Sequence, residues 1–124
     1  MTRQTAYKIL TQAQFDSLRD GNFTGALVDS EDGYIHLSTA EQLDETLEKH
    51  FFGQDGLVIA AIPLAPLENA LKWEASRNGQ LFPHLYSQLI IDMVSAHAIL
   101  QRDGNGRALL PDRLTQPAVP AQQK

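Results

Sequence analysis

Asp32-Gly33-Tyr34-Ile35-His36-Leu37-Ser38-Thr39-Ala40-Glu41-Gln42 is the stretch on which the fold turns. From Tyr34 to Ser38 the residues alternate with the period of a β-strand. Ile35 and Leu37 then face a core, and Tyr34, His36 and Ser38 share the opposite face. Two overlapping capping boxes follow, Ser38 with Glu41 and Thr39 with Gln42. Leu43, Leu47 and Phe51 recur every four residues, which predicts a helix of about twelve residues ended by Gly53. The first N–H groups of such a helix lack intrahelical partners, and its end carries partial positive charge. With His36 and the hydroxyls of Ser38 and Thr39 beside it, the helix mouth is a candidate pocket for an anion or phosphate. The alternative is that Ser38 and Thr39 only cap the helix and His36 is a half-buried strand residue.

Working outward, Tyr7–Leu10 reads as a short strand. Thr11 and Gln14 form a further capping box before a helix with Phe15 and Leu18 on one face, stopped at Asp20-Gly21. Asn22–Gly33 reads as a loop. Leu57–Ile62 is almost wholly apolar, the signature of a strand covered on both faces, and Pro63 and Pro66 close it. Ala70–Glu74, Leu85–Ile91 and Val94–Leu100 read as strands, and Gly104-Asn105-Gly106 as a turn. The pattern is α+β, with two helices in the N-terminal half and a strand-rich second half. Residues 1–110 form one domain. Residues 111–124, with three prolines and little to bury, read as a flexible tail.

Composition narrows the function classes. The chain has 124 residues and no cysteine, so a disulfide scaffold, a thiolate metal cluster and a cysteine nucleophile are excluded. Ten basic against fifteen acidic residues give a net charge of −5, which provides no general attraction to nucleic acid. The longest apolar run, near Leu57–Leu64, is too short to span a bilayer, and Met1–Tyr7 has no signal-peptide core. A cytoplasmic monomer without membrane contact is the expectation. His36, His50, His84 and His97 show no short ligand spacing, so no metal site is expected. His50 falls at a helix end, where a cation suits the dipole, and reads as structural. His97 reads as a core or edge residue of the last strand.

A second cluster runs through Lys72-Trp73-Glu74 and Arg77 to Phe82-Pro83-His84-Leu85-Tyr86. Alternation places Lys72 and Glu74 on one face and Leu71 and Trp73 on the other, while His84 and Tyr86 share a face. A glutamate near a histidine is a usable acid–base pair at neutral pH. The alternative is a surface loop with one aromatic anchor.

These residues carry a resemblance. Tyr7-Lys8-Ile9-Leu10, the Asp32–Gln42 stretch, Trp73-Glu74 and Phe82-Pro83-His84-Leu85-Tyr86 together resemble the bacterial family called domain of unknown function 952, over about residues 6–100. Ser87 departs from the glycine usual there. The resemblance implies an ADP-ribosyltransferase-like fold, a split-sheet sandwich with a nicotinamide-dinucleotide cleft. Tyr34–Ser38 is also similar to a motif of RNA 2′-phosphotransferases in that superfamily. On this basis His36, Glu74 and His84 are the catalytic candidates. Lys8, Ser38, Thr39, Gln42, Trp73, Arg77 and Tyr86 are the ligand-binding candidates. Lys8 stands where relatives place a histidine or arginine. The implied activity is an NAD-dependent ADP-ribosyl or phosphate transfer on a small anionic or nucleotide ligand, with NAD as cofactor. A non-catalytic small-ligand module and a protein-interaction module are the alternatives, since fold does not imply function.

Overall fold

The computed structural model describes residues 4–75, 79–104 and 108–109. Arg77 and the expected tail lie outside the described residues.

Two small antiparallel sheets organise the chain. In the first, β1 (Thr5–Leu10), β3 (Val58–Pro63) and β6 (Ala96–Ile99) lie in the order β1-β3-β6. In the second, β2 (Ile35–His36), β5 (Leu81–Leu85) and β4 (Leu71–Ala75) lie in the order β2-β5-β4. β7 (Gln101–Arg102) pairs antiparallel with β8 (Ala108–Leu109); Asn105 and Gly106 of the expected turn lie outside the described residues. The sheets touch where Tyr7 and Ser38 exchange backbone hydrogen bonds, at 2.7 and 2.9 Å. That bridge brings the end of β2 against the middle of β1.

The apolar run of β3 sits at the centre of the first sheet and is covered on both faces, as its composition requires. Val58, Ala60 and Ile62 join Ala6, Leu10, Phe15, Leu18, Ile35, Leu37 and Leu85 in a core between the sheets. Ile59 and Ala61 face the other way, onto Leu43 and Leu47. Those two leucines belong to α3 (Ala40–His50), the helix predicted from the four-residue spacing. Both capping boxes with Gln at the third position are formed, Thr11 with Gln14 on α1 (Gln12–Arg19) and Thr39 with Gln42 on α3.

Two sequence expectations are corrected. The stretch 22–33 is not all loop: α2 (Leu27–Asp32) gives the N-terminal half three helices rather than two. Its sides carry no apolar stripe. Leu27 is 76% exposed, and the residue it buries is Asp29. Gly33 ends it in the left-handed conformation, at φ +86°, which glycine adopts without strain. The strand expected at Leu85–Ile91 lies instead at Leu81–Leu85, across Pro83. A proline inside a central strand is tolerated because β2 is so short. Pro83 offers its carbonyl to Leu37 N at 3.2 Å, just past the last residue of β2, and its nitrogen faces the same side.

Truncating the α3–sheet contact with Leu43→Ala removes a fully buried side chain. It is expected to lower unfolding free energy by about 2–5 kcal/mol in urea titrations, and Thr39→Ala by about 1 kcal/mol through the lost cap.

Candidate functional site

Asp29 holds the site together. It is 2% exposed, yet all its acceptor capacity is used. Oδ2 accepts from Lys8 Nζ at 2.8 Å and from Ala26 N at 2.8 Å. Oδ1 accepts from Lys8 Nζ at 3.1 Å, from His36 N at 3.0 Å and faces His36 Nδ1 at 2.7 Å. Burial alone would push this carboxyl up. The hydrogen bond from His36 and the charge and hydrogen bond of Lys8 outweigh it and hold the group at about 2. Burial pulls the Lys8 ammonium below its ordinary value, against the opposing pull of Asp29. Gly25 is needed beside this pair. Its φ is +112°, and a Cβ there would lie 3.0 Å from the Cβ of Asp29.

His36 is gripped on both sides, by Asp29 at Nδ1 and by Asp32 Oδ2 at Nε2, 2.9 Å away. A carboxylate only accepts, so the imidazolium form satisfies both contacts at once. Directly across the strand pair stands His84, and opposite that, Lys72. His84 Nδ1 lies 2.8 Å from Glu74 Oε1, and the hydroxyl of Tyr86 donates to the same oxygen at 2.7 Å. The hydrogen bonds from His84 and then Tyr86 draw the Glu74 carboxyl below its ordinary value. In return Glu74 pushes the Tyr86 phenol up to about 12. Tyr34 packs over the row. Its ring stacks on His84 at 4.1 Å between centroids and reaches His36 at 4.6 Å and Tyr86 at 5.1 Å.

A cavity of about 380 Å³ opens at the joint of the two sheets. Lys8, His36, Ser38, His50 and His84 line it, with Leu27, Val28, Phe51 and Phe82 as apolar wall. Three of the chain's four histidines therefore border one cavity, and no aspartate or glutamate is in its lining. Few convergent polar groups in an apolar wall is the usual make-up of a small-molecule site. Among the described residues no cluster of histidine and carboxylate groups is arranged to hold a metal ion.

The sequence candidates thus divide. Lys8, His36, Ser38 and His84 meet in the cavity. Glu74 stands behind His84 and is not in the lining. Tyr86 borders a second concavity of about 410 Å³, with Tyr34, Asp29 and Gln88. At the mouth of α3, where an anion pocket was expected, the capping groups bond to one another. Thr39 N donates to Gln42 Oε1, Gln42 N to Thr39 Oγ1, and Gln42 Nε2 to the Leu81 carbonyl. Thr39 and Gln42 are both buried, and Ser38 Oγ is bonded to Thr46. Trp73 alternates away from Glu74, pairs with Pro83 and borders neither cavity. His50, read as structural, borders the main cavity at the last position of α3. Asp29, Asp32 and Tyr34 were not among the sequence candidates, although alternation had put Tyr34 on the face of His36. Asp29 and Asp32 had one local signal, carboxylates seven and four residues before His36.

These features define a class: an α+β protein of two three-stranded antiparallel sheets, with a histidine-lined cavity at their joint. The chain belongs to the DUF952 family, described as a protein of unknown function, which it matches over residues 9–97. It is similar to protein CC0527 from Caulobacter crescentus. The crystal structure of that protein is 45% identical and aligns with a TM-score of 0.82 over 90% of this chain and 99% of that one. Its solution NMR structure is 46% identical, with a TM-score of 0.77 over 89% and 96% of the two chains. No curated protein matches. No helix among the described residues is long and apolar enough to cross a membrane.

The depressed Asp29 value fixes a pH dependence. A carboxyl at about 2 when folded, against an ordinary 3.8, adds about 2 kcal/mol of stability. That contribution is complete above about pH 4 and disappears as pH falls through the folded value near 2. Urea midpoints measured from pH 5 to 2 should fall accordingly. Asp29→Asn should lack this component and lose on the order of 3–5 kcal/mol at pH 7, because Lys8 is left buried without its counter-ion.

Proposed function

We propose that the chain binds a small ligand with a phosphate or other anionic group in the cavity at the sheet joint. The observation that carries this reading is the lining: Lys8, His36, His50 and His84 in a chain of net charge −5, with no carboxylate among the lining residues. The polar end of the ligand meets Lys8, His36 and His84, and its body meets Leu27, Val28, Phe51 and Phe82. We take the two sheets as an ADP-ribosyltransferase-like split sandwich. Two small sheets joined at Tyr7–Ser38, with a cavity at the joint, support that view. A nucleotide is then the ligand class, and NAD is the first compound to test.

Within this reading Lys8 and His36, both held by Asp29, form a fixed polar wall of the cavity. Glu74 is a positioning residue. Its Oε1 already takes His84 and Tyr86, so it acts through His84 rather than on a ribose cation. An NAD-dependent transferase is one form of this function. A non-catalytic binding module is the other, favoured by the engagement of both His36 ring nitrogens with carboxylates, which leaves that ring no nitrogen for proton exchange with a ligand.

Binding raises stability by mass action, about 2.7 kcal/mol at one hundred times the dissociation constant. Millimolar NAD is expected to raise the melting temperature of the full chain and to give heat in calorimetry. His36→Ala should abolish both responses. The nucleotide assignment is sunk by wild-type protein that answers neither to NAD nor to ADP-ribose. Release of nicotinamide from NAD on incubation separates the transferase from the binding module.

A further inference from the structure

The two central histidines have opposite hydrogen-bond states. Both ring nitrogens of His36 face carboxylates, so its ring has no lone pair to offer in that form. His84 has one anchored nitrogen only. Its side chain is 4% exposed, and Nδ1 faces Glu74 at 2.8 Å. Among the described residues Nε2 has no hydrogen-bond partner, although a buried ring nitrogen ordinarily finds one. The ring borders the cavity.

We propose that His84 is the general base of this cavity, and that the ligand presents a hydroxyl group to its Nε2. The proposal rests on the reading of the cavity as an anionic-ligand site and adds the functional group that the ligand must carry. The Glu74 carboxylate can only accept, and it already accepts from Tyr86, so the hydrogen on the His84–Glu74 contact belongs to Nδ1. The neutral ring is thereby held in the form with its lone pair on Nε2. Tyr34 stacks on one ring face at 4.1 Å and resists rotation out of that orientation.

The step is a proton transfer. The proton of the ligand hydroxyl passes to Nε2, and the oxygen keeps the bonding pair. The imidazolium retains Nδ1–H toward Glu74, whose charge offsets the new one, as a carboxylate does for a catalytic histidine elsewhere. Reversal returns the proton to oxygen. The charged groups around His84 come from three strands. Glu74 on β4 stabilises the imidazolium, while Lys72, on the same strand and directly opposite His84, disfavours it. His36 lies 5.4 Å away between ring centroids on β2, with Asp29 and Asp32 on its own nitrogens, and Lys8 borders the cavity from β1.

Ring-nitrogen NMR of the 15N-labelled full chain tests this without any turnover. The neutral His84 ring should show hydrogen on Nδ1 and a bare Nε2, and Tyr86→Phe should leave that tautomer in place. Glu74→Gln, whose amide can donate as well as accept, should abolish the preference. Hydrogen on Nε2 of the neutral ring in the wild-type protein overturns the proposal, even if the Glu74 variant fails to fold. Ribose 5-phosphate then serves as a hydroxyl-bearing probe and inorganic phosphate as one without a carbon-borne hydroxyl. Both should shift the amide signals of Lys8 and His36, but only ribose 5-phosphate should shift His84 Nε2. Amide shifts with an unmoved Nε2 overturn the role of His84. Silence of every cavity signal to both probes instead overturns the anionic-ligand reading, while the ring tautomer still decides for or against the base.

Discussion

One buried carboxylate sets the geometry of everything near the cavity. Asp29 receives an ammonium from the first sheet, an imidazole and a backbone N–H from the second, and the N–H that opens its own helix. An ionised group taken from water carries a large desolvation cost, and it is stable only when each lone pair is answered. Asp29 meets that condition by drawing three segments of chain to one point. Lys8 lies 21 residues from Asp29, His36 seven and Ala26 three, and the carboxylate fixes their relative positions to within hydrogen-bond tolerance. α2 exists for this contact more than for packing, because the side chain it buries is charged and its neighbours Leu27 and Val28 face outward.

The second sheet applies the same logic in a more exposed setting. Glu74 gathers His84 and Tyr86 from the adjoining segment, and Tyr34 roofs the row. The two histidines face each other across one register position, yet one ring is closed off by two carboxylates and the other is left with a single anchored edge. That asymmetry gives the cavity different chemistry at its two imidazoles. It is produced by which carboxylate side chains reach which nitrogen, and not by the strands, which present the two residues equivalently.

The pocket at the mouth of α3 illustrates how a sound local argument meets a tertiary veto. Free N–H groups and a dipole do attract anions. Here the two capping residues satisfy each other, and the Gln42 amide is drawn to the Leu81 carbonyl. The imidazole that was to serve that mouth turns instead to Asp29 and Asp32. Lys8, His36, Ser38 and His84 still converge, one step away, at the joint between sheets.

The sequence by itself determined what short-range periodicity and caps encode. β1, α1, α3 and the doubly covered β3 follow from alternation, four-residue spacing and the Thr–Gln boxes, and these signals act within a few residues. The alternation of Tyr34–Ser38 likewise placed His36 opposite the core-facing Ile35. Only the tertiary structure decided the rest. α2 has no apolar stripe to betray it, because the group it buries is a carboxylate whose partners come from other strands. Pro83 sits in a central strand because β2 stops where its nitrogen would have needed a partner. Asp29 and Tyr34 entered the site as much through Lys8 and His84, distant in the chain, as through nearby His36. Such contacts are set by how sheets and helices pack, and no local pattern of residue types records them.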